Sequence, residues 1–285
     1  MFKSKRRLAT LVLGSLISLS LLVSGCGSNT NNAASSGTTG NTAKPVVLKV
    51  GATPKPHAEI LEHIKPELAK QGIDLQIQVY NDYVVPNTAL DAGEIDANFF
   101  QHQPYLDTFI KDRGLKLVSI GQVHLEPMGL YSKKTTKTDD FKAGETIAIP
   151  NDPSNGGRAL VVLEKAGLIK LKDGVGVKAT VQDIVSNPKE FKISTVDAAQ
   201  LPRVLTDPKT AGAVINTNFA LEGGLNPKDA LTIEEAKDNP YANIVAVKEA
   251  RKDDPNLQKL MKALNSPDVK KFIEDTYQGS VLPSF

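Results

Sequence analysis

The stretch VVLKVGATPKPHAEILEHIKPELAKQGIDLQIQVYN, residues 46–81, decides the fold. VVLKVGAT (46–53) reads as a strand, and HAEILEHIKPELAKQG (57–72) as a helix closed by Gly72. IDLQIQVYN (73–81) is a second strand, with polar residues alternating along it. The same habit continues outward. VPNTALDAGE predicts a short helix, IDANFF a strand, QPYLDTFIKDRG a helix ending at Gly114, and LKLVSIGQV another strand. ETIAIPN, EFKIST, TAGAVINTN and YANIVAVK read as later strands. SNGGRALVVLEKAG, LPRVL, LQKLMKALN and PDVKKFIEDTY read as the helices among and after them. Strands alternating with helices predict an α/β fold whose sheets are rich in parallel pairs and covered by helices on both faces. No period of 20–50 residues repeats, which excludes a solenoid.

Before this folded region, which starts near Pro45, the chain changes character. Lys3, Lys5, Arg6 and Arg7 precede an uncharged run, LATLVLGSLISLSLLVSG, over residues 8–25. A basic flank, an apolar segment and small residues before a cleavage point make a secretory signal peptide. The run is short for a bilayer span, which needs roughly 20 apolar residues. Val23-Ser24-Gly25-Cys26 resembles a bacterial lipobox, in which the cysteine is acylated with fatty chains such as palmitate and becomes the new N-terminus. Cys26 is the single cysteine of the 285 residues. With it lipidated, no disulfide can form, and the core holds by packing alone. Residues 27–44, GSNTNNAASSGTTGNTAK, bury almost nothing and predict a flexible tether.

Charge is therefore counted on the mature chain. Removing the four basic residues of 1–25 from 34 Lys and Arg leaves 30 against 32 Asp and Glu, so the balance moves from +2 to −2. The basic excess that would suggest nucleic acid disappears on export, and no arginine and aromatic cluster revives it.

Catalytic signatures are absent from the sequence. There is no G-x-S-x-G and no G-x-x-x-x-G-K-[ST] motif. His57, His63, His102 and His124 are widely spread and form no H-x-H or H-x-x-x-H pair, so no metal site and no cofactor is expected. Asp91, Glu94 and Asp96 read as a solvated helix-to-strand turn. An exported hydrolase or lyase with an unrecognised site is the weaker alternative to a binding protein.

Binding has more support. Five of the fifteen Phe and Tyr residues lie between positions 80 and 105: Tyr80, Tyr83, Phe99, Phe100 and Tyr105. Ligands of open α/β sheets collect at the carboxyl ends of strands, where Phe99 and Phe100 fall. Alternation sends one of these two to the core and leaves the other for a pocket. Tyr83 and Tyr105 carry polar tips suited to a pocket wall. In PNDPSNGGRAL (150–160), Asp152 or Ser154 can cap a helix, Gly156 and Gly157 permit close backbone approach, and Arg158 offers a planar fork for a carboxylate at a helix N-terminus. In INTN (215–218), Asn216 and Asn218 can donate and accept; an Asx-turn at the strand end accounts for one of them, by preference Asn218.

Taken in order, LKVGATPKPHAEIL, YNDYVVPNTAL, IDANFFQHQPYLD, IAIPNDPSNGGRAL, AVINTNFALEGGL and NPYANIVAV resemble the motifs of the NlpA-type lipoproteins, the methionine-binding components of ABC importers. The resemblance covers essentially the whole folded chain. It implies a two-lobed fold of the type II periplasmic-binding-protein kind with the ligand between the lobes. Residues 45–130 with 246–285 would form lobe 1 and residues 131–245 lobe 2, with hinge crossings near 130–134 and 243–248. By motif match, Tyr83, Phe100, His102 and Tyr105 would wall the side-chain pocket, Arg158 would take the α-carboxylate, and Asn216 and Asn243 would bond the head group. Phe99 and Asn155 are secondary candidates. The expected ligand is methionine, L or D. A leucine-sized side chain suits an aromatic wall as well, so another hydrophobic amino acid or a methionine-containing dipeptide stays open. The expected partners are this amino acid, an importer permease, and the membrane through the lipid anchor. The protein is expected as a monomer on the extracytoplasmic face of the cell membrane.

Overall fold

The computed structural model describes residues 44–285. The signal peptide expected over 1–25, the lipidation expected at Cys26 and nearly all of the 26–44 tether lie outside the described residues. The chain runs Val46–Ala52 (β1), Glu59–Lys70 (α1), Ile73–Val79 (β2), Val85–Ala92 (α2), Ala97–His102 (β3), Gln103–Arg113 (α3) and Leu117–Leu125 (β4). A second group follows: Gly129–Tyr131 (β5), Thr146–Pro150 (β6), Pro153–Lys165 (α4), Lys170–Leu171 (β7), Ile184–Ser186 (β8), Lys192–Val196 (β9), Leu201–Val204 (α5), Thr210–Ile215 (β10), Thr217–Glu222 (α6) and Thr232–Ile233 (β11). The chain then returns with Ala242–Lys248 (β12), Pro255–Leu264 (α7), Pro267–Tyr277 (α8) and Leu282–Pro283 (β13).

These strands make two main sheets, ordered β13-β4-β12-β3-β1-β2 and β11-β5-β10-β6-β9, plus the β7-β8 pair. Each main sheet contains one plan. In the first, β2, β1 and β3 are parallel and β12 joins β3 antiparallel. In the second, β9, β6 and β10 are parallel and β5 joins β10 antiparallel. The parallel strands are the βαβ units anticipated by the helix and strand alternation. The antiparallel ones depart from a parallel-rich sheet because β5 and β12 each follow a crossing from the other lobe and run against the strand they join.

Strand membership also moves the crossings. β5 already belongs to the second sheet and all of β12 to the first, so the chain crosses at residues 126–128 and 234–241. The hinge positions expected at 130–134 and 243–248 lie in or directly beside strands. Asn243 accordingly sits in the first lobe's sheet, paired with His102 and His124, rather than in lobe 2.

Local chemistry explains the elements that position the cleft. Ile60, Leu61, Ile64 and Leu68 fall on one face of α1 and are all buried against the first sheet; each such side chain contributes about 1.5–3 kcal/mol by leaving water. Gly72 ends the turn with φ +76°, a conformation that costs glycine little. The helix α4 is capped by Asp152, whose side chain accepts from the Asn155 N–H at 2.8 Å. A Cβ on Gly157 would collide with the Val177 carbonyl oxygen. Gly157 therefore admits a neighbouring turn of its own lobe against α4, and the close approach foreseen there is not one to a ligand. Separate cores fill the lobes, one around Leu48, Val50 and Leu257, the other around Ile147, Leu160 and Val214. Among the described residues no helix is long and apolar enough to cross a membrane.

Candidate ligand-binding site

A cavity lies between the lobes. Its first-lobe lining is Tyr83, Phe100, Gln101, His102, Tyr105 and Asn243, and its second-lobe lining is Asn155, Arg158, Asn216, Thr217 and Asn218; Glu126, on the outgoing crossing, completes it. All seven residues proposed from the motifs thus meet at one place, and Asn155 with them. Phe99 does not: it is fully buried in the first-lobe core, edge-on to His57 at 4.7 Å, while its neighbour Phe100 faces the cavity.

The aromatic side is a packed cluster. The Tyr83 ring centre lies 5.7 Å from Phe100, 5.6 Å from Tyr105 and 4.8 Å from Phe219, spacings at which offset and edge contacts are favourable. Tyr105 donates its hydroxyl to the Tyr83 carbonyl at 2.9 Å, and Tyr83 donates its own to Asn218 Oδ1 across the cleft at 2.6 Å. Burial pushes both phenols above their ordinary range, so both remain protonated donors.

His102 joins the two walls. It caps α3, its Nδ1 accepting from the Tyr105 N–H at 3.2 Å, and its Nε2 lies 3.0 Å from Asn155 Oδ1. Because Nδ1 accepts, the ring proton is on Nε2 and is donated to Asn155. Burial, reinforced by Arg158, drives the His102 pKa down to about 3, so the ring is neutral. Asn155 also accepts from Asn216 Nδ2 at 2.9 Å. This leaves Asn216 Oδ1 buried without a partner among the described residues, and Asn218 Nδ2 likewise. Asn218 was assigned by preference to an Asx-turn; instead it lies in α6 and lines the cavity.

Arg158 differs most from expectation. Its Nε and Nη2 bond Glu234 at 2.8 and 2.6 Å, Nη2 also reaches the Glu126 carbonyl at 2.8 Å, and its guanidinium stacks 4.1 Å above the Tyr241 ring. The arginine therefore holds both crossing segments as well as lining the cavity, with Nη1 making no hydrogen bond among the described residues. Glu234 is itself fixed by the Met128 N–H at 2.8 Å.

Glu126 is the charged group that sequence reasoning missed. Its carboxylate is buried, lies 2.7 Å from His124 Nε2 and 3.3 Å from His57 Nε2, and burial raises its pKa against the opposing pull of His57, the Asn218 N–H and Arg158. Gln101, also missed, is tied to Asn87 and Asn98 in a buried amide network. A polar residue inside an apolar run, Glu126 in HLEPMGLY and Gln101 in NFFQH, is the signal that would have found them.

Two α/β lobes joined by two crossings, with a cavity between them holding an aromatic wall and paired charges, define a two-lobed solute-binding protein of the periplasmic-binding type. The chain belongs to the NlpA lipoprotein family, matched over residues 48–285. It is 44% identical to the D-methionine-binding lipoprotein MetQ of Salmonella typhimurium over 95% of each chain. It is equally 44% identical to the methionine-binding lipoprotein MetQ of Bacillus subtilis over 92% of this chain and 93% of that one. A solved nutrient-binding protein of Burkholderia cenocepacia bound to methionine superposes with a TM-score of 0.80 at 49% identity, covering 84% of this chain and all of the other.

Proposed function

We propose that the cleft takes a single methionine and that the protein delivers it to the permease of an ABC importer. The observation that carries this reading is the division of one cavity into an aromatic wall and a charged, amide-lined end. The thioether packs against Tyr83, Phe100, His102 and Tyr105, where sulfur–aromatic contacts contribute about 0.3–1.5 kcal/mol each. The α-carboxylate meets Arg158 Nη1 and the Asn243 amide. The ammonium meets Glu126 and the unpartnered Asn216 Oδ1.

Calorimetry on ligand-stripped protein tests the assignment with L-methionine, D-methionine, leucine and methionine dipeptides. Methionine binding more tightly than leucine and the dipeptides is the expected result. Leucine or a dipeptide binding more tightly would reassign the pocket, and no binding by any of them would end the reading. Anchoring belongs to the same proposal: Cys26 carries the acyl chains that hold the protein on the extracytoplasmic face of the membrane. Cys26→Ser should release the exported protein into the soluble fraction, since two acyl chains are needed for stable attachment. Retention of that variant in washed membranes would refute the anchor.

A further inference from the structure

We propose that His57 and His124, neither of which lines the cavity, are positioning residues: His124 directs Nε2–H at Glu126 Oε1 and His57, donating to Asn243 Oδ1, packs its ring edge against the same carboxylate, so that together they hold a buried carboxylate as the acceptor that makes an amino group a requirement for binding. This inference rests on the methionine reading and adds what selects the ammonium.

Three elements converge on this carboxylate. His57 comes from the turn before α1, His124 from β4, and Glu126 begins the outgoing crossing; all three side chains are buried. His124 Nε2 lies 2.7 Å from Glu126 Oε1, and His57 Nε2 lies 3.3 Å from the same oxygen and 3.0 Å from Asn243 Oδ1. A nitrogen facing two acceptor oxygens is a donor, so the His57 proton is on Nε2 and its Nδ1 accepts from the Thr53 hydroxyl at 2.7 Å. The His124 Nδ1 has no partner among the described residues. An unmet lone pair costs less there than a proton moved to Nδ1, which would leave Nε2 and a carboxylate oxygen lone pair to lone pair at 2.7 Å. Both rings are thus neutral Nε2–H donors, and burial keeps them neutral by driving the pKa values of His57 and His124 down to about 4 and 3.

Asn243 is oriented by the same device. With Oδ1 turned to His57, its Nδ2 is the end left for the cavity, a donor matched to a ligand carboxylate. The histidines therefore fix the polarity of two positions: acceptor at Glu126, donor at Asn243. Other groups acting on Glu126 are the Asn218 N–H and Glu222 of α6, Arg158 of α4, Tyr83 beyond β2, and Tyr277 of α8. Burial raises Glu222 to about 7, so its own titration overlaps the neutral range. Comparison of variant with wild type removes that contribution.

A metal ion is the rival occupant of two histidines and a glutamate. Ligands at about 2.0–2.1 Å around a tetrahedral ion stand roughly 3.3 Å apart. The 2.7 Å His124–Glu126 separation is instead a direct hydrogen bond.

The experiment compares L-methionine with its des-amino analogue, 4-(methylthio)butanoate, by calorimetry from pH 5 to 8. Wild type should prefer methionine, with the preference fading as acid protonates Glu126. His124→Phe should lower that preference roughly tenfold to a hundredfold, the range for a hydrogen bond to a charged group, and His57→Phe should lower it in the same direction by less. They should also move the acid limb of the profile to higher pH. His124→Gln, which keeps an amide N–H near the Nε2 position, should restore much of the preference. Equal loss for both ligands, with an unmoved pH profile, would make the histidines merely structural and overturn the proposal. Wild type that binds the two ligands equally would also overturn it while leaving the methionine reading intact; wild type that binds neither would refute that reading itself. Stoichiometric zinc binding lost in His124→Phe would reassign the cluster to a metal. Long-range proton–nitrogen spectra of the wild type need no variant: both rings should be neutral Nε2–H tautomers at pH 6, and an Nδ1–H tautomer in either overturns the proposal.

Discussion

Apart from Asn243 Nδ2, the first lobe's face of the cleft keeps its polar atoms paired, whereas the second lobe's face leaves several open. On the first, Tyr105 and both His102 nitrogens have partners, and Gln101 is absorbed by Asn87 and Asn98. On the second, Asn216 Oδ1 and Asn218 Nδ2 are buried and unpartnered among the described residues. Both faces grow from the same 2-1-3 parallel plan, and in each a strand leads into a capped helix: β3 into α3 under His102, β6 into α4 under Asp152. The difference is in what each side must recognise. An apolar side chain needs shape and ring contacts, and an unmet polar atom there would only add a desolvation cost. A charged head group must exchange water for fixed donors and acceptors, so those atoms have to be left available before it arrives.

The harshest way to break this comparison is to remove the charge from the polar face. Arg158→Ala should abolish measurable methionine binding, by roughly 30- to 4,000-fold for about 2–5 kcal/mol. It also strands the Glu234 carboxylate and loosens both crossings, so the unfolding midpoint should fall in the ligand-free protein. Affinity within threefold of wild type would take Arg158 out of the site. Asn216→Ala tests the same face more gently. Losing an acceptor for a charged group should weaken binding roughly 10- to 100-fold, and by the same factor for methionine and norleucine, since the head group is common to both. A loss confined to one of them would blur the division between the faces.

Acid sharpens the comparison from the other side, because His102 belongs to the aromatic face and is neutral. Its folded pKa near 3 lies below the ordinary 6.5, so the unfolded chain takes up a proton the native one refuses. The stability it supports is present above about 6.5 and is lost as pH falls toward 3, at up to about 1.4 kcal/mol per pH unit. Glu222, raised to about 7, acts with the opposite sign, gaining stability as pH falls through that value. Denaturant unfolding of wild type and His102→Gln at a series of pH values separates the two: the variant should show the shallower acid loss, and parallel curves would contradict a neutral buried His102.

The smallest expected effect concerns the bond that ties the faces together. Tyr83→Phe removes the 2.6 Å bond to Asn218 while keeping the ring. Affinity should drop about 2- to 10-fold, the value of one neutral hydrogen bond, and the selectivity for methionine over alanine should hold. A change in that selectivity would mean that the Tyr83 hydroxyl, and not its ring, shapes the side-chain pocket.

What the sequence determined by itself is what short range controls. Apolar spacing placed α1, Gly72 ended it, Asp152 or Ser154 was marked as the cap of α4, and the aromatic cluster between Tyr80 and Tyr105 marked one wall; each depends on residues within a turn or two of one another. The motifs placed Arg158, Asn216 and Asn243 in the same cavity by resemblance, with no account of their partners. Partners were left to the tertiary structure. Arg158 finds Glu234 76 positions away, Tyr83 finds Asn218 across 135, and His57 finds Asn243 across 186. A local pattern can mark Glu126 as a polar residue in an apolar run but cannot supply its histidine partners, and it does not tell Asn218 from the Asx-turn it resembles. Their roles are set by burial, which makes an unpaired charge or amide costly and so forces distant side chains to satisfy one another. The antiparallel seats of β5 and β12 were decided the same way, by crossings that bring each strand in from the opposite lobe.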